Sequence, residues 1–262
     1  MRGSGNRNPQ PSISGSIEFM PATKLSKAAT HDQASRIFDL DVSSLRELNQ
    51  ALHNLTPGSN ETAWEVLHPK GSHSVAVGVD QPVSIDVRGS VGYYCGGMNS
   101  GSTITVHGSA GPGVGENMMS GSIIVKGDAS QYAGATGKGG LLVIEGNASS
   151  RCGISMKGID IVVHGNIGHM SAFMAQSGNL VVLGDAGDAL GDSIYEARLF
   201  VRGNVDSLGA DCIAKEMRAE HLELLQGLLD RAGVTGVKPS EFKRYGSART
   251  LYNFNIDNAD AY

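Results

Sequence analysis

The stretch Ile123–Gly134, IIVKGDASQYAG, returns along the chain as LVIEGNASSRCG (142–153), IVVHGNIGHMSA (161–172) and VVLGDAGDALG (181–191). Aligning these phrases on their shared glycine, and extending the alignment both ways, gives Gly89, Gly108, Gly127, Gly146, Gly165, Gly184 and Gly203. Each successive spacing is 19 (108 − 89, and so on to 203 − 184). Four residues before each marker stand Ile85, Ile104, Ile123, Leu142, Ile161, Leu180 and Leu199; two before stand Val87, Val106, Val125, Ile144, Val163, Val182 and Val201. A spacing of two within a branched aliphatic segment is strand periodicity, so both columns share one face. A constant stride with constant facing makes each copy one coil of a solenoid.

Two further columns agree. Two places after the marker come Val91, Ala110, Ala129, Ala148, Ile167, Ala186 and Val205, residues that suit a cramped corner. Seven places after it come Gly96, Gly115, Gly134, Gly153, Ala172 and Gly191, where a second turn needs almost no side chain. The predicted fold is all-β: a right-handed parallel β-helix of 19-residue coils over residues 73–209, with short flanking helices and an extended C-terminal tail. Residues 1–25 are polar and expected to be disordered. Residues 26–72 are expected to form a helical cap, and 210–262 a helix followed by the aromatic tail.

The totals narrow the function classes. A net charge of −5 offers no electrostatic footprint for nucleic acid or anionic lipid. No apolar run approaches the roughly 20 residues that cross a bilayer, and the N-terminus has no apolar signal core, so the expected location is the cytoplasm. The combination of 36 glycines with 18% charged residues fits many tight turns and much covered backbone. Cys95, Cys152 and Cys212 are too few and too scattered for a disulfide framework or an iron–sulfur cluster and are read as small buried residues. On the predicted fold Cys95 and Cys152 lie three coils, roughly 14 Å, apart and cannot bond. His107 and His164 are separated likewise. They belong to an outward column with Arg88, Lys126, Glu145 and Arg202.

Several apparent motifs dissolve on this frame. Gly134–Gly140 resembles a phosphate loop, but Tyr132 replaces its first glycine and Gly139 its Ser or Thr. Gly111-Pro-Gly113-Val-Gly115 is not followed by the crossover helix a dinucleotide site needs. Asp128, Asn147, Asn166, Asp185 and Asn204 stack just after the marker and read as Asx turns rather than a calcium site. No nucleophile stands beside a base, so no catalytic, cofactor-binding or metal-binding residue is assigned.

The outer column three before the marker, Asp86, Thr105, Ile124, Val143, Val162, Val181 and Phe200, turns apolar for five coils and needs a cover. Either the segment Asp211 to Ala232 supplies it, with Ile213, Met217, Leu224, Leu225 and Leu228 on a helical stripe, or another subunit does. At the other end, Ser44 and Glu47 form a capping box opening a helix with Leu45, Leu48, Leu52 and Leu55 inward. This helix is expected to cap the open end of the stack. Ile124, Val143, Val162, Val181 and Phe200, with Tyr245, Tyr252, Phe254 and Tyr262 of the tail, are the candidate partner contacts.

The coil pattern SGSIIVKGDASQYAG, with GGLLVIEGNASSRCG beside it, resembles the glycine-rich repeat of the C-terminal domain of glutamate synthase large subunits. The opening FDLDVSSLRELNQALHNL and the ending ARTLYNFNIDNADAY are most similar to stand-alone versions of that domain, as in the small repeat subunit of N-methylglutamate synthase. The resemblance spans roughly residues 36 to 262. It implies a hetero-oligomer with a class II glutamine-amidotransferase-like subunit and a synthase-like subunit carrying FMN and an iron–sulfur cluster. Glutamate and methylamine are then converted to N-methylglutamate and ammonia, and this chain, binding no cofactor, acts as a scaffold. A split glutamate synthase using ammonia, and the repeat subunit of a formylmethanofuran dehydrogenase or formyltransferase/hydrolase complex, are the alternatives. An autonomous binding module would instead need a groove of outward aromatics, and the repeat offers Tyr93, Tyr94, Tyr132 and Phe173.

Overall fold

A computed structural model describes residues 35–250. The expected disorder of residues 1–25 and the tail residues Tyr252, Phe254 and Tyr262 lie outside the described residues. Seven strands carry the repeat: β3 (Ser84–Val87), β4 (Ser100–Val106), β5 (Ser120–Val125), β6 (Leu141–Ile144), β7 (Lys157–Val163), β8 (Ser177–Val182) and β9 (Arg198–Val201). Each pairs in parallel with the next, and the registers join like to like: Val125 faces Ile144, and Ile144 faces Val163. Both predicted inner columns are buried throughout, none of the fourteen residues being more than 1% exposed. Val91, Ala110, Ala129, Ala148, Ile167, Ala186 and Val205 form a second, one-residue-wide parallel ladder at the corner. The chain is a β-solenoid of about seven turns whose interior is filled by its own side chains.

The marker glycines from Gly108 to Gly203 owe their identity to closeness rather than to backbone conformation, whereas Gly89 has φ +147°. A Cβ on Gly165 would stand 2.4 Å from Asn147 Oδ1 and 2.8 Å from the Gly146 carbonyl oxygen of the preceding coil. Gly165 N–H donates to that same carbonyl at 2.9 Å, so the two backbones cannot part without losing the bond. The second turn is different. Gly96, Gly115, Gly134, Gly153 and Gly191 have φ between +63° and +68°, and a Cβ on Gly134 would lie 2.6 Å from Ile161 Cδ1.

Positive φ also occurs where the sequence gives no hint of it. Five places after the marker, Tyr94, Tyr132, Arg151, Met170 and Ala189 are left-handed; nine places after it, so are Met98, Asn117, Thr136, Ser155, Met174 and Ser193. Each such residue costs on the order of 1–3 kcal/mol in isolation. None of these side chains is buried, and their amides are held by neighbouring coils: Arg151 N–H donates to the His169 carbonyl at 2.9 Å and Thr136 N–H to Ile154 at 2.9 Å. The ladder offsets the local cost.

Both ends extend the sheet beyond the repeat. The region read as a helical cap also contains β1 (Ser35–Asp39) and β2 (Ala63–Leu67), which pair in parallel ahead of β3, Trp64 facing Ile85 and Val66 facing Val87. They escaped the sequence reading because they lack the 19-residue stride and the marker. Between them lies α1 (Leu45–His53), opened by the Ser44–Glu47 capping box, with Leu48 and Leu52 fully buried. Asn49 Nδ2 donates to the Ser74 carbonyl at 2.9 Å and His53 Nε2 lies 2.6 Å from the Val77 carbonyl, so α1 packs on the turn at the start of this chain's own stack.

At the other end β10 (Cys212–Lys215) and β11 (Lys243–Ser247) complete an eleven-stranded sheet in the order β1 through β9, β11, β10. Both contacts of β11 are antiparallel, which ends the solenoid progression. The segment from Asp211 is therefore not helical from its start: residues 212–215 are strand, Ile213 is exposed, and α2 runs only over Ala219–Arg231. Among the described residues no helix is long and apolar enough to cross a membrane.

Candidate functional site

The outer apolar stripe is covered from within. Val143, Val162, Val181 and Phe200 are buried in a second cluster with Leu225, Leu228 and Leu229 of α2 and with Phe242. Ile124, Met217 and Leu224 pack against its edge. Arg231 at the end of α2 donates to Asp160 on β7 at 2.8 Å, fixing the helix across the sheet. Of the two covers considered from sequence, the chain's own segment is the one present. Four of the five stripe residues are thus buried in this cluster, and Ile124 is partly buried at its edge. Tyr245 is likewise not on a free tail: it sits in β11, 7% exposed, within the main core.

The stack of Asp and Asn residues forms a ladder between coils rather than turns within them. Asn147 N–H donates to Asp128 Oδ1 at 2.7 Å, Asn166 N–H to Asn147 Oδ1 at 2.9 Å, Asp185 N–H to Asn166 Oδ1 at 2.8 Å and Asn204 N–H to Asp185 Oδ1 at 2.7 Å. Ser90 and Ser109 continue the same pattern towards the N-terminus. These oxygens are spent on backbone amides one coil on, which sets them 19 residues apart instead of converging on an ion.

The charged outer column is paired along its length. Arg88 bonds Glu65, His107 bonds Asp86 at 2.6 Å, Lys126 bonds Glu145, and Arg202 bonds Glu241 at 2.8 Å. His164 stands apart: its Nε2 is buried without a partner, and burial lowers its pKa. Two of the outward aromatics have partners within the chain. Tyr93 stacks on His73 with ring centroids 4.2 Å apart, and Tyr132 lies under Arg151.

Asp39, Asp41 and His68 converge closely enough to suggest a metal. His68 Nδ1 already lies 2.8 Å from Asp39 and Lys70 Nζ bonds Asp41, so a cation of the chain's own neutralises the site. The Asp39 hydrogen bond raises the His68 pKa, favouring the charged pair. The three cysteines are free and buried, with the pKa of each pushed up to about 12 by burial, the opposite of what a nucleophile or thiolate ligand requires.

An open cleft among the described residues was missed by sequence reading. It measures about 630 Å³ and lies where β9, β10 and β11 meet, between Glu196–Arg198, Ala214–Arg218 and Arg244–Arg249. Arg198, Lys215, Arg218, Arg244 and Arg249 face two carboxylates, Glu196 and Glu216. Glu196 pairs with Arg249 at 2.9 Å and Glu216 with Arg218 at 3.2 Å. Arg244 Nε donates to the Glu216 carbonyl at 2.9 Å. Partial burial, and then the charges of Arg218 and Arg198, lower the Arg244 pKa. Burial, with Arg244 next, does the same to His221, whose Nδ1 accepts the Arg218 amide at 3.2 Å.

Residues 71–228 match the GXGXG motif family. The chain is also similar to "Protein GlxC" of Rhizobium meliloti (strain 1021), with 74% identity over 226 residues, 86% of this chain and 99% of that protein. Residues 71–228 take in all seven coils, with their inner columns and marker glycines, and α2 as far as Leu228. This chain therefore belongs to the GXGXG family and is a glutamate-synthase-like subunit.

Proposed function

We propose that this chain is the non-catalytic structural subunit of an N-methylglutamate synthase complex. It holds a class II glutamine-amidotransferase-like subunit against a synthase-like subunit that carries FMN and an iron–sulfur cluster, while glutamate and methylamine are converted to N-methylglutamate and ammonia. The observation that carries this reading is the filled interior: the coils enclose stacked aliphatics where an enzyme would enclose a substrate, so the useful surface is the outside. The match to the GlxC relative, 74% identical over 99% of that protein, supports a shared role for the two chains. The cysteines support placing the cluster elsewhere, since Cys95, Cys152 and Cys212 belong to separate coils and burial keeps their thiols protonated.

The test is co-expression with the two other subunits and size-exclusion chromatography of an affinity-tagged chain. The expected result is one peak containing all three polypeptides, with flavin absorbance that disappears when the synthase-like subunit is omitted. Elution of this chain alone, with the other two associated without it, would refute the reading.

A further inference from the structure

We infer that the arginine cleft between β9, β10 and β11 is a docking site for an extended acidic segment of a partner protein. This rests on the reading of the chain as a subunit that holds others, and it assigns that task to particular residues. The chain as a whole carries a net charge of −5, yet this cleft gathers five cations against two carboxylates. Among the described residues Arg198, Lys215 and Arg244 have no carboxylate within ion-pair distance. Arg198 Nη1 donates to Asn179 Oδ1 at 3.5 Å, and Arg244 Nε donates to a backbone carbonyl. Guanidinium groups held together without counter-charges repel one another, and an incoming carboxylate relieves that repulsion while gaining bidentate hydrogen bonds.

Size and setting select a peptide over a small anion. A cleft of about 630 Å³ is far larger than one inorganic anion, and its cations are distributed along it on three chain segments. The lining comes in turn from β9 (Arg198), β11 (Arg244) and β10 (Lys215), three adjacent strands, so the cations form a row across the sheet face rather than a single binding point. Arg244 is the register partner of Lys215, and adjacent strands lie about 4.8 Å apart, so an extended segment crossing them sets a carboxylate against each cation in turn. Such a row disfavours neutral and basic segments and favours an acidic one, which gives the cleft its selectivity.

The experiment uses the full chain and a fluorescein-labelled oligoglutamate peptide about eight residues long, read by anisotropy, with oligolysine as the control. The peptide is expected to bind, to weaken as salt rises from about 50 to about 200 mM, and to lose at least about tenfold in affinity in the double variant R198E/K215E. R244Q, which removes charge without reversing it, is expected to lose less than the double variant, and thermal melts confirm that each protein is folded. Binding unchanged in both variants, or absent in the wild type, overturns the inference. So does displacement of the peptide by inorganic phosphate at equal concentration, which would mark a small-anion pocket. In the three-subunit co-expression, R198E/K215E is expected to lose partner association that the wild type keeps. A variant that still assembles removes the cleft from docking and leaves the proposed function intact. A wild-type chain that binds oligoglutamate yet assembles with neither subunit refutes the proposed function instead.

Discussion

Replacing Gly165 by alanine sets a methyl carbon 2.4 Å from Asn147 Oδ1 and 2.8 Å from the Gly146 carbonyl oxygen. Neither neighbour is a loose side-chain end. The carbonyl accepts the Gly165 amide at 2.9 Å, and Asn147 Oδ1 accepts the Asn166 amide at 2.9 Å, so relief means separating two coils or giving up the side-chain ladder. Overpacking of this kind costs about 1–3 kcal/mol, and one lost hydrogen bond adds about 1 kcal/mol, giving a loss of about 2–4 kcal/mol. With a urea dependence of about 3 kcal/mol per molar, the unfolding midpoint falls by about 1 M. The paired control is Gly227→Ala. Gly227 lies in α2 with nothing within 4 Å of a Cβ, so alanine there is expected to raise stability by about 0.5–1 kcal/mol. Urea unfolding followed by far-UV circular dichroism reads both. A Gly165→Ala midpoint indistinguishable from wild type would refute close coil approach as the reason for the marker glycine.

Phe200→Ala empties the largest fully buried side chain from the cluster beneath α2, and a loss of about 3–5 kcal/mol is expected; a loss below about 1 kcal/mol would show that α2 does not pack there in solution. Cys95 and Cys152, with pKa values of about 12, are expected to hold only about one part in ten thousand as thiolate at pH 8. Ellman's reagent should therefore label them only when denaturant is added, and rapid labelling of the folded chain contradicts their burial. His164 has its pKa lowered by burial, so the unfolded state binds its proton first and stability falls as pH drops through about 6.5. His164→Gln is expected to flatten that decline relative to wild type in urea titrations between about pH 7 and pH 5, and an unchanged slope would rule out His164 as its source.

The repeat was legible because a solenoid converts three-dimensional register into sequence arithmetic. Residues that touch, such as Val125 and Ile144, stand one stride apart, and every coil repeats the same demand for an aliphatic residue. The need for a cover over Phe200 was legible for the same reason, as five successive outward positions are apolar. What supplies the cover was narrowed but not settled by sequence, because helix periodicity in 211–232 ran on into Cys212–Lys215, whose strand exists only through its pairing with distant β11. The left-handed residues at Tyr132 or Thr136 leave no compositional trace, since cross-coil hydrogen bonds rather than side-chain identity enforce them. Nor did the cleft: Arg198, Arg218 and Arg244 are brought together by a chain reversal between β10 and β11 that no repeat announces.

The central claim, that this chain organises chemistry performed by others, is tested most directly by assaying N-methylglutamate formation from glutamate and methylamine with purified subunits, each omitted in turn. The predicted result is no turnover by this chain alone, a severe loss when it is left out, and recovery when it is added back. Turnover by this chain without partners, or undiminished turnover by the other two without it, would contradict the account.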